Sequence, residues 1–423
     1  MMMYVALGLF ALTYVLLLAL PKARAYVALG SAALFAALGI VPVGKIIPAI
    51  DWNVLLMIAG TMGTVSLFIG SKMPSRLAEL LLSRVPNVKW AIVALALFAG
   101  IVSAFVDNVA TVLMLAPVAL AIAEKQRISP VPAVIAIAVS SNLQGAATLV
   151  GDTTSILLGG YAGMNFADFF VFHRKMGMFF VVQFGALAAT AVLCVYLRNL
   201  TQKVVREGRT EVEDRFPTFL MLATVALLIA ASFLPEKPAV TNGLICTGLF
   251  LLGVTRQCVR EKSGRPLFAA LRQLDCQTLL LLAGLFVVIA GVREAGVIDA
   301  IAQLIAGVGG GSVFAVYSLI VWGSVILSAF IDNIPYVAAM LPVAANIAQI
   351  MGVEPYLLYF GLLTGATLGG NLTPIGASAN ITGIGILKKA GYTVKTGDFM
   401  KIGVPFTLCA VTVGYVLLWL LWA

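Results

Sequence analysis

Charge is scarce in this sequence and histidine almost missing. Asp, Glu, Lys and Arg make up 11% of 423 residues, and there is one His. So few charges exclude an ordinary soluble domain, which carries about a quarter. With His173 alone no HExxH metal motif exists, and beside Arg174 and Lys175 it reads as an interfacial basic cluster at the start of a span. The five cysteines, Cys194, Cys246, Cys258, Cys276 and Cys409, are scattered with no CxxC pair. Neither a disulfide framework nor a zinc site follows from them. No nucleophile–base pair or metal set lies in the apolar runs, so the sequence points to no enzyme, no cofactor and no metal.

What the chain has instead is apolar length. It is 61% hydrophobic with a mean hydropathy of +1.05, and runs near 20 residues place it in the bilayer as an all-α integral membrane protein. Met1–Leu20 has neither a basic leading region nor a small-residue cleavage site, and reads as a retained first span. The net charge of +9 comes from Lys and Arg in short loops, so topology explains it better than nucleic acid does.

Spans are expected near 4–20, 26–44, 52–70, 131–160 and 176–197, then 218–234, 239–255, 276–292, 355–387 and 402–422. Between them, 89–123 and 312–350 each fit two short helices of about 15 residues, which reach only ~22 Å against a core of ~30 Å. These read as re-entrant hairpins, giving about ten transmembrane helices plus two hairpins.

The plan occurs twice. Ser103-Ala-Phe-Val-Asp-Asn-Val-Ala-Thr111 returns 225 residues later as Ser328-Ala-Phe-Ile-Asp-Asn-Ile-Pro-Tyr336. Asp51-Trp-Asn-Val-Leu-Leu matches Asp275-Cys-Gln-Thr-Leu-Leu, Pro117 matches Pro342, and Lys175-Met-Gly and Lys401-Ile-Gly are expected to open the last spans. Several matches at nearly one offset indicate duplication: a first repeat over 1–199, a linker over 200–217 and a second repeat over 218–423. An odd number of crossings per half inverts the second repeat. With the polar linker (Lys203, Arg206, Glu207, Arg209, Glu211, Glu213, Asp214, Arg215) in the cytoplasm, all Lys and Arg except Lys45, Arg174, Lys175, Lys237 and Arg293 fall on that side. The positive-inside rule then puts both termini outside the cell (inner) membrane.

Acids in lipid need a reason, since each costs on the order of 3 kcal/mol at the bilayer centre. Asp107, Asp152 and Asp332 are the acids placed deep and unpaired, and are the candidates for coupling H⁺ or Na⁺. Asp and Asn at the tips can also cap the second hairpin helices. Asn108, Thr111 and Asn333 are candidates for holding substrate at the tips. In Asn142-Leu-Gln-Gly-Ala-Ala-Thr-Leu-Val-Gly-Asp-Thr-Thr-Ser155 and Gly369-Gly-Asn-Leu-Thr-Pro-Ile-Gly-Ala-Ser-Ala-Asn380, glycines and hydroxyls interrupt apolar runs as in a broken membrane helix. Gly151, Pro335, Pro374 and Gly376 are the expected breaks. Asn142, Thr153, Thr154, Ser155, Asn371, Thr373, Ser378 and Asn380 are the expected hydrogen-bonding groups. Asp152 has Ala377 as its mate. Asp51 and Asp275 read as interfacial, and Glu294 as a local partner of Arg293.

Inverted halves, polar hairpin tips and broken helices resemble the ion transporter superfamily. Within it, Ser328–Pro335 and Gly369–Asn380 are similar to the arsenical pump and P-protein-like permeases with a citrate transporter-like domain. That resemblance covers essentially the whole chain. It implies a pseudo-two-fold fold, often a homodimer, and substrate held between hairpin tips and broken helices. The sodium–dicarboxylate branch has Ser-Asn-Thr at its tips, where this chain has Asp-Asn. The resulting expectation is a permease of the plasma membrane that exports a small oxyanion or metalloid hydroxide of arsenite type in exchange for protons. The alternatives are a Na⁺/H⁺ antiporter, a citrate- or dicarboxylate-like organic anion transporter, and an anion channel.

Overall fold

The computed structural model describes residues 2–203 and 210–423; Arg206, Glu207 and Arg209 of the linker lie outside the described residues. The chain is nearly all helix. The first half holds α1 (Met2–Ala19), α2 (Arg24–Ala37), α3 (Val43–Ala49), α4 (Trp52–Gly70), α5 (Met73–Leu82), α6 (Val88–Ser103), α7 (Asn108–Gln126), α8 (Val131–Gly145), α9 (Thr153–Ala162) and α10 (Met178–Tyr196). The second holds α11 (Phe216–Ser232), α12 (Thr241–Glu261), α13 (Arg265–Gln273), α14 (Cys276–Glu294), α15 (Val297–Val308), α16 (Val313–Ser328), α17 (Asn333–Met351), α18 (Tyr356–Gly369), α19 (Ser378–Lys389) and α20 (Thr396–Trp422).

Ten helices are thus followed by ten in the same order. Packing repeats too: α4 lies along α12 as α14 lies along α2, α6 along α8 as α16 along α18, and α10 meets α20.

Among the described residues, eight helices (α1, α4, α7, α10, α12, α14, α17 and α20) are long and apolar enough to cross a bilayer. The other expected spans are shorter or broken. Helix α2, at 14 residues, reaches about 21 Å, short of the ~30 Å apolar core. The expected spans 131–160 and 355–387 divide at 146–152 and 370–377.

Several boundaries differ from the sequence expectation. The second hairpin arms, α7 and α17, run 19 residues each where about 15 are expected, because Pro117 and Pro342 sit inside them without ending them. Four short helices, α3, α5, α13 and α15, precede spans or hairpins where loops are expected. Helix α15 turns sharply, by 115°, into α16. Helix α20 begins at Thr396, before Lys401. Around His173, residues 171–176 form a two-stranded turn, with His173 and Arg174 both at positive φ. The linker's described end is strapped down: the Glu213 amide donates to the Ser71 carbonyl at 3.2 Å, and Asp214 pairs with Arg256 at 2.5 Å.

Both breaks are closed onto the hairpin turns in one way. The Thr148 hydroxyl donates to the Ala104 carbonyl, and Thr373, 225 residues on, to the Ala329 carbonyl at 2.5 Å. Gly151 and Gly376 complete the junctions. A Cβ at Gly151 would stand 2.6 Å from the Gly145 carbonyl oxygen and 2.9 Å from those of Ala104 and Ser103. At Gly376 the Gly370, Ala329 and Ser328 oxygens stand at 2.6, 2.8 and 2.9 Å. Backbone cannot yield as a side chain would, so Gly151→Ala and Gly376→Ala are each expected to destabilise by about 1–3 kcal/mol. Thermal melting in detergent checks this, with Gly30→Ala as the neutral control, since nothing lies within 4 Å of its Cβ position.

Candidate functional site

Each hairpin ends in a four-residue turn whose last residue is an acid. Asp107 Oδ1 accepts from the amides of Val109 (3.0 Å) and Ala110 (3.1 Å) at the start of α7. Asp332 Oδ1 accepts from Ile334 at 3.1 Å at the start of α17. At the first break, Asp152 caps α9, accepting from the Thr153 amide and the Thr154 hydroxyl, both at 2.8 Å. Each acid therefore offers its oxygens to amides left unpaired at a helix start. Ala377 gives α19 no such cap.

The first residues of α7, α9, α17 and α19 converge on one cavity of about 500 Å³. Asp107, Asn108, Asp152, Thr153, Asn333 and Ser378 line it. It runs on to Ser66, Ile69 and Gly70 at the end of α4 and to Gln273, Asp275 and Thr278 at the start of α14. Among the described residues, no Lys, Arg or His lines it. A second cavity of about 740 Å³ lies at the opposite ends of α4 and α14, by Asp51 and Arg293.

Behind the cavity the amides bond to one another across the halves. Asn108 Nδ2 donates to Asn142 Oδ1 at 2.8 Å, and Asn142 Nδ2 donates to Asn371 Oδ1 (2.7 Å) and Asn380 Oδ1 (3.0 Å). Asn371 donates to the Val139 carbonyl at 3.0 Å; Asn380 donates to those of Gly370 (3.0 Å) and Thr373 (3.1 Å). The hydroxyls of Thr154 and Thr367 meet at 3.2 Å, and Asn333 reaches Asp152 Oδ2 at 3.5 Å.

The candidate residues thus divide into three groups, with Asp332 in none of them because it does not line the cavity. Six line the cavity. Asn142, Thr154, Asn371 and Asn380 form the network behind it. Thr111 donates to the Asp107 carbonyl, Ser155 to that of Gly145 and Thr373 to that of Ala329. These three hydroxyls fasten backbone and do not line the cavity.

Two expectations about acids are corrected. Asp332 is not unpaired: Arg24, at the first position of α2, places Nη1 2.7 Å from its Oδ2. Glu294 pairs with Lys45 at 2.7 Å rather than with its neighbour Arg293. Asp275 caps α14 as expected of a span start, accepting from the Thr278 amide at 3.1 Å, yet it also faces the cavity. Its match to Asp51 was the signal available in the sequence.

Comparison with known proteins now fits this geometry. Residues 14–365 match the model of the family described as CitMHS, citrate transporter. The chain belongs to that family. It is 30% identical to an uncharacterized transporter of Mycobacterium tuberculosis, over 99% of this chain and 98% of the other. It is 26% identical to the P protein of Mus musculus, over 91% of this chain and 56% of that one. The P protein is the relative that the tip and break motifs resemble. The fold is shared with the Alcanivorax borkumensis YdaH transporter, with a TM-score of 0.61 at 16% identity over 93% of this chain and 96% of the other. The Neisseria gonorrhoeae efflux pump MtrF aligns at 0.54, also at 16% identity, over 88% and 80%. The chain is an integral membrane transporter.

Asn142 is the amide on which the network turns. Asn142→Ala strands a donor on Asn108 and acceptors on Asn371 and Asn380, and is expected to cost about 1–3 kcal/mol. A fall in melting temperature for Asn142→Ala, against little change for Ser378→Ala, checks it.

Proposed function

We propose that the chain is a proton-coupled secondary transporter that exports a small metalloid hydroxide of arsenite type. The observation that carries this is the lining of the central cavity: three carboxylates (Asp107, Asp152, Asp275), three amides (Asn108, Gln273, Asn333) and hydroxyls, with no cationic side chain among the described residues. Amides and hydroxyls suit a neutral hydroxide, which both donates and accepts. The carboxylates suit protons moving the other way. In this reading residues 1–199 and 218–423 are inverted repeats, and both termini lie outside. The cavity then opens to the cytoplasm, and the second cavity by Asp51 and Arg293 marks the outward route. Alternating access would move tips and broken helices against α2, α4, α12 and α14.

A second reading is favoured by the family description. A citrate carrier of this shape would bring a tricarboxylate against Asp107, Asp152 and Asp275, so citrate would have to enter with protons or a metal cation. A Na⁺/H⁺ antiporter would use the same aspartates for either cation.

Everted vesicles carrying an imposed pH gradient separate these readings. Arsenite is expected to dissipate the gradient, whereas citrate alone and Na⁺ are not. Gradient dissipation by citrate or Na⁺ but not arsenite would overturn the arsenite reading. Asp107→Asn and Asp152→Asn are expected to insert normally and to reduce proton-driven flux to background.

A further inference from the structure

We infer that Arg24 is a built-in cation for the second hairpin tip, so that Asp107 is the one tip carboxylate able to take an exchangeable cation. The inference rests on the proposed role of the deep acids in coupling.

The two tips are alike in sequence and unlike in surroundings. Arg24 Nε donates to the Leu17 carbonyl at 3.2 Å near the end of α1, and Nη1 meets Asp332 at 2.7 Å. The two side chains are 28% and 12% exposed. The Tyr14 hydroxyl donates to the Pro335 carbonyl at 2.6 Å, and Ser328 to the Ala366 carbonyl at 2.5 Å. A cation, a phenol and a hydroxyl thus hold the second tip.

The first tip lacks all three. Ser103 Oγ is buried without a partner, and among the described residues no Lys or Arg pairs with Asp107. Repeat logic shows where the missing cation went. Leu20-Pro-Lys-Ala-Arg24 corresponds to Leu234-Pro-Glu-Lys-Pro238, which puts proline in the place of Arg24. Lys237 does donate to the Ala231 carbonyl at 3.1 Å in the last turn of α11, much as Arg24 does to α1. Its other partner is Asn165, far along the chain from Asp107.

An ionised carboxylate in an apolar interior needs a positive partner. Arg24 supplies one permanently at Asp332, since a guanidinium does not lose its proton. At Asp107 the partner must come from solution. The titratable groups around Asp332 are Arg24 from α2, Tyr14 from α1, Tyr336 on α17, and Asp152 at the start of α9; those facing Asp107 are Asp152 and, from the start of α14, Asp275, both acids.

The test counts protons taken up by purified full-length protein on a step from about pH 8 to about pH 5, read with a weakly buffered indicator dye. Arg24→Gln is expected to bind one proton more per protein than wild type, Asp107→Asn one fewer, and Arg24→Lys the same number. The double variant R24Q/D332N, with no charge at the second tip, is expected to match wild type. An unchanged count in R24Q, or one proton fewer in R24Q/D332N, overturns the inference. The double variant decides alone should R24Q not fold. Because the count needs no substrate, it holds or fails separately from the arsenite reading, which the vesicle assay decides.

Discussion

The structure depends on a rule about buried polar groups: in an apolar interior each must find its partner within the protein. Asn142 is where that rule binds hardest. Its amide accepts from Asn108 on the first hairpin and donates to Asn371 and Asn380 in the second break. A residue with only donors or only acceptors could not do this, because the first half presents a donor and the second half two acceptors. The network fixes how deep the hairpin reaches and where each broken helix stops. The glycines at the junctions follow from it, since backbone must come within reach of backbone once the tip is pulled against the break.

Much of this was legible because duplication writes the same demand twice. The 225-residue recurrence of Asp-Asn, and of glycine-rich breaks with hydroxyls, located the tips and the breaks that meet at the site. What the sequence could not convey was pairing. Arg24 stands in a run that reads as a cytoplasmic loop. It meets Asp332 because α2 begins at Arg24 itself, and helix ends are the least legible feature of a sequence. Helices α3, α5, α13 and α15 were missed for a related reason: they are too short to show as apolar runs. The hydroxyls of Thr111, Ser155 and Thr373 were legible as polar groups in lipid. Whether each turns to a cavity or to a nearby carbonyl is decided by one rotamer, which spacing does not encode.

What recurs between the halves holds the geometry, and what differs between them falls on the chemistry. Where the copies agree, as at Thr148 and Thr373 or Gly151 and Gly376, the residues hold the shape. Where they differ, the difference falls on charge: Asp152 faces Ala377, and Arg24 faces Pro238. A symmetric scaffold can hinge about its centre. An asymmetric set of charges lets a hinge distinguish loaded from empty.

The sum of those charges bears on the cargo. Four helix starts converge on the cavity, each carrying roughly half a positive charge. Arg24 adds one more, and Asp107, Asp152 and Asp332 together offset about that amount. Asp275, which also lines the cavity, leaves the centre about one charge negative before any cation binds. A neutral solute can enter such a place without a compensating ion, while a proton on Asp107 or Asp152 brings the balance close to neutral. A tricarboxylate entering alone would drive it strongly negative in a region of low dielectric. Membership of a family described by citrate and an acid-lined cavity are thus compatible only if the anion travels with its own cations.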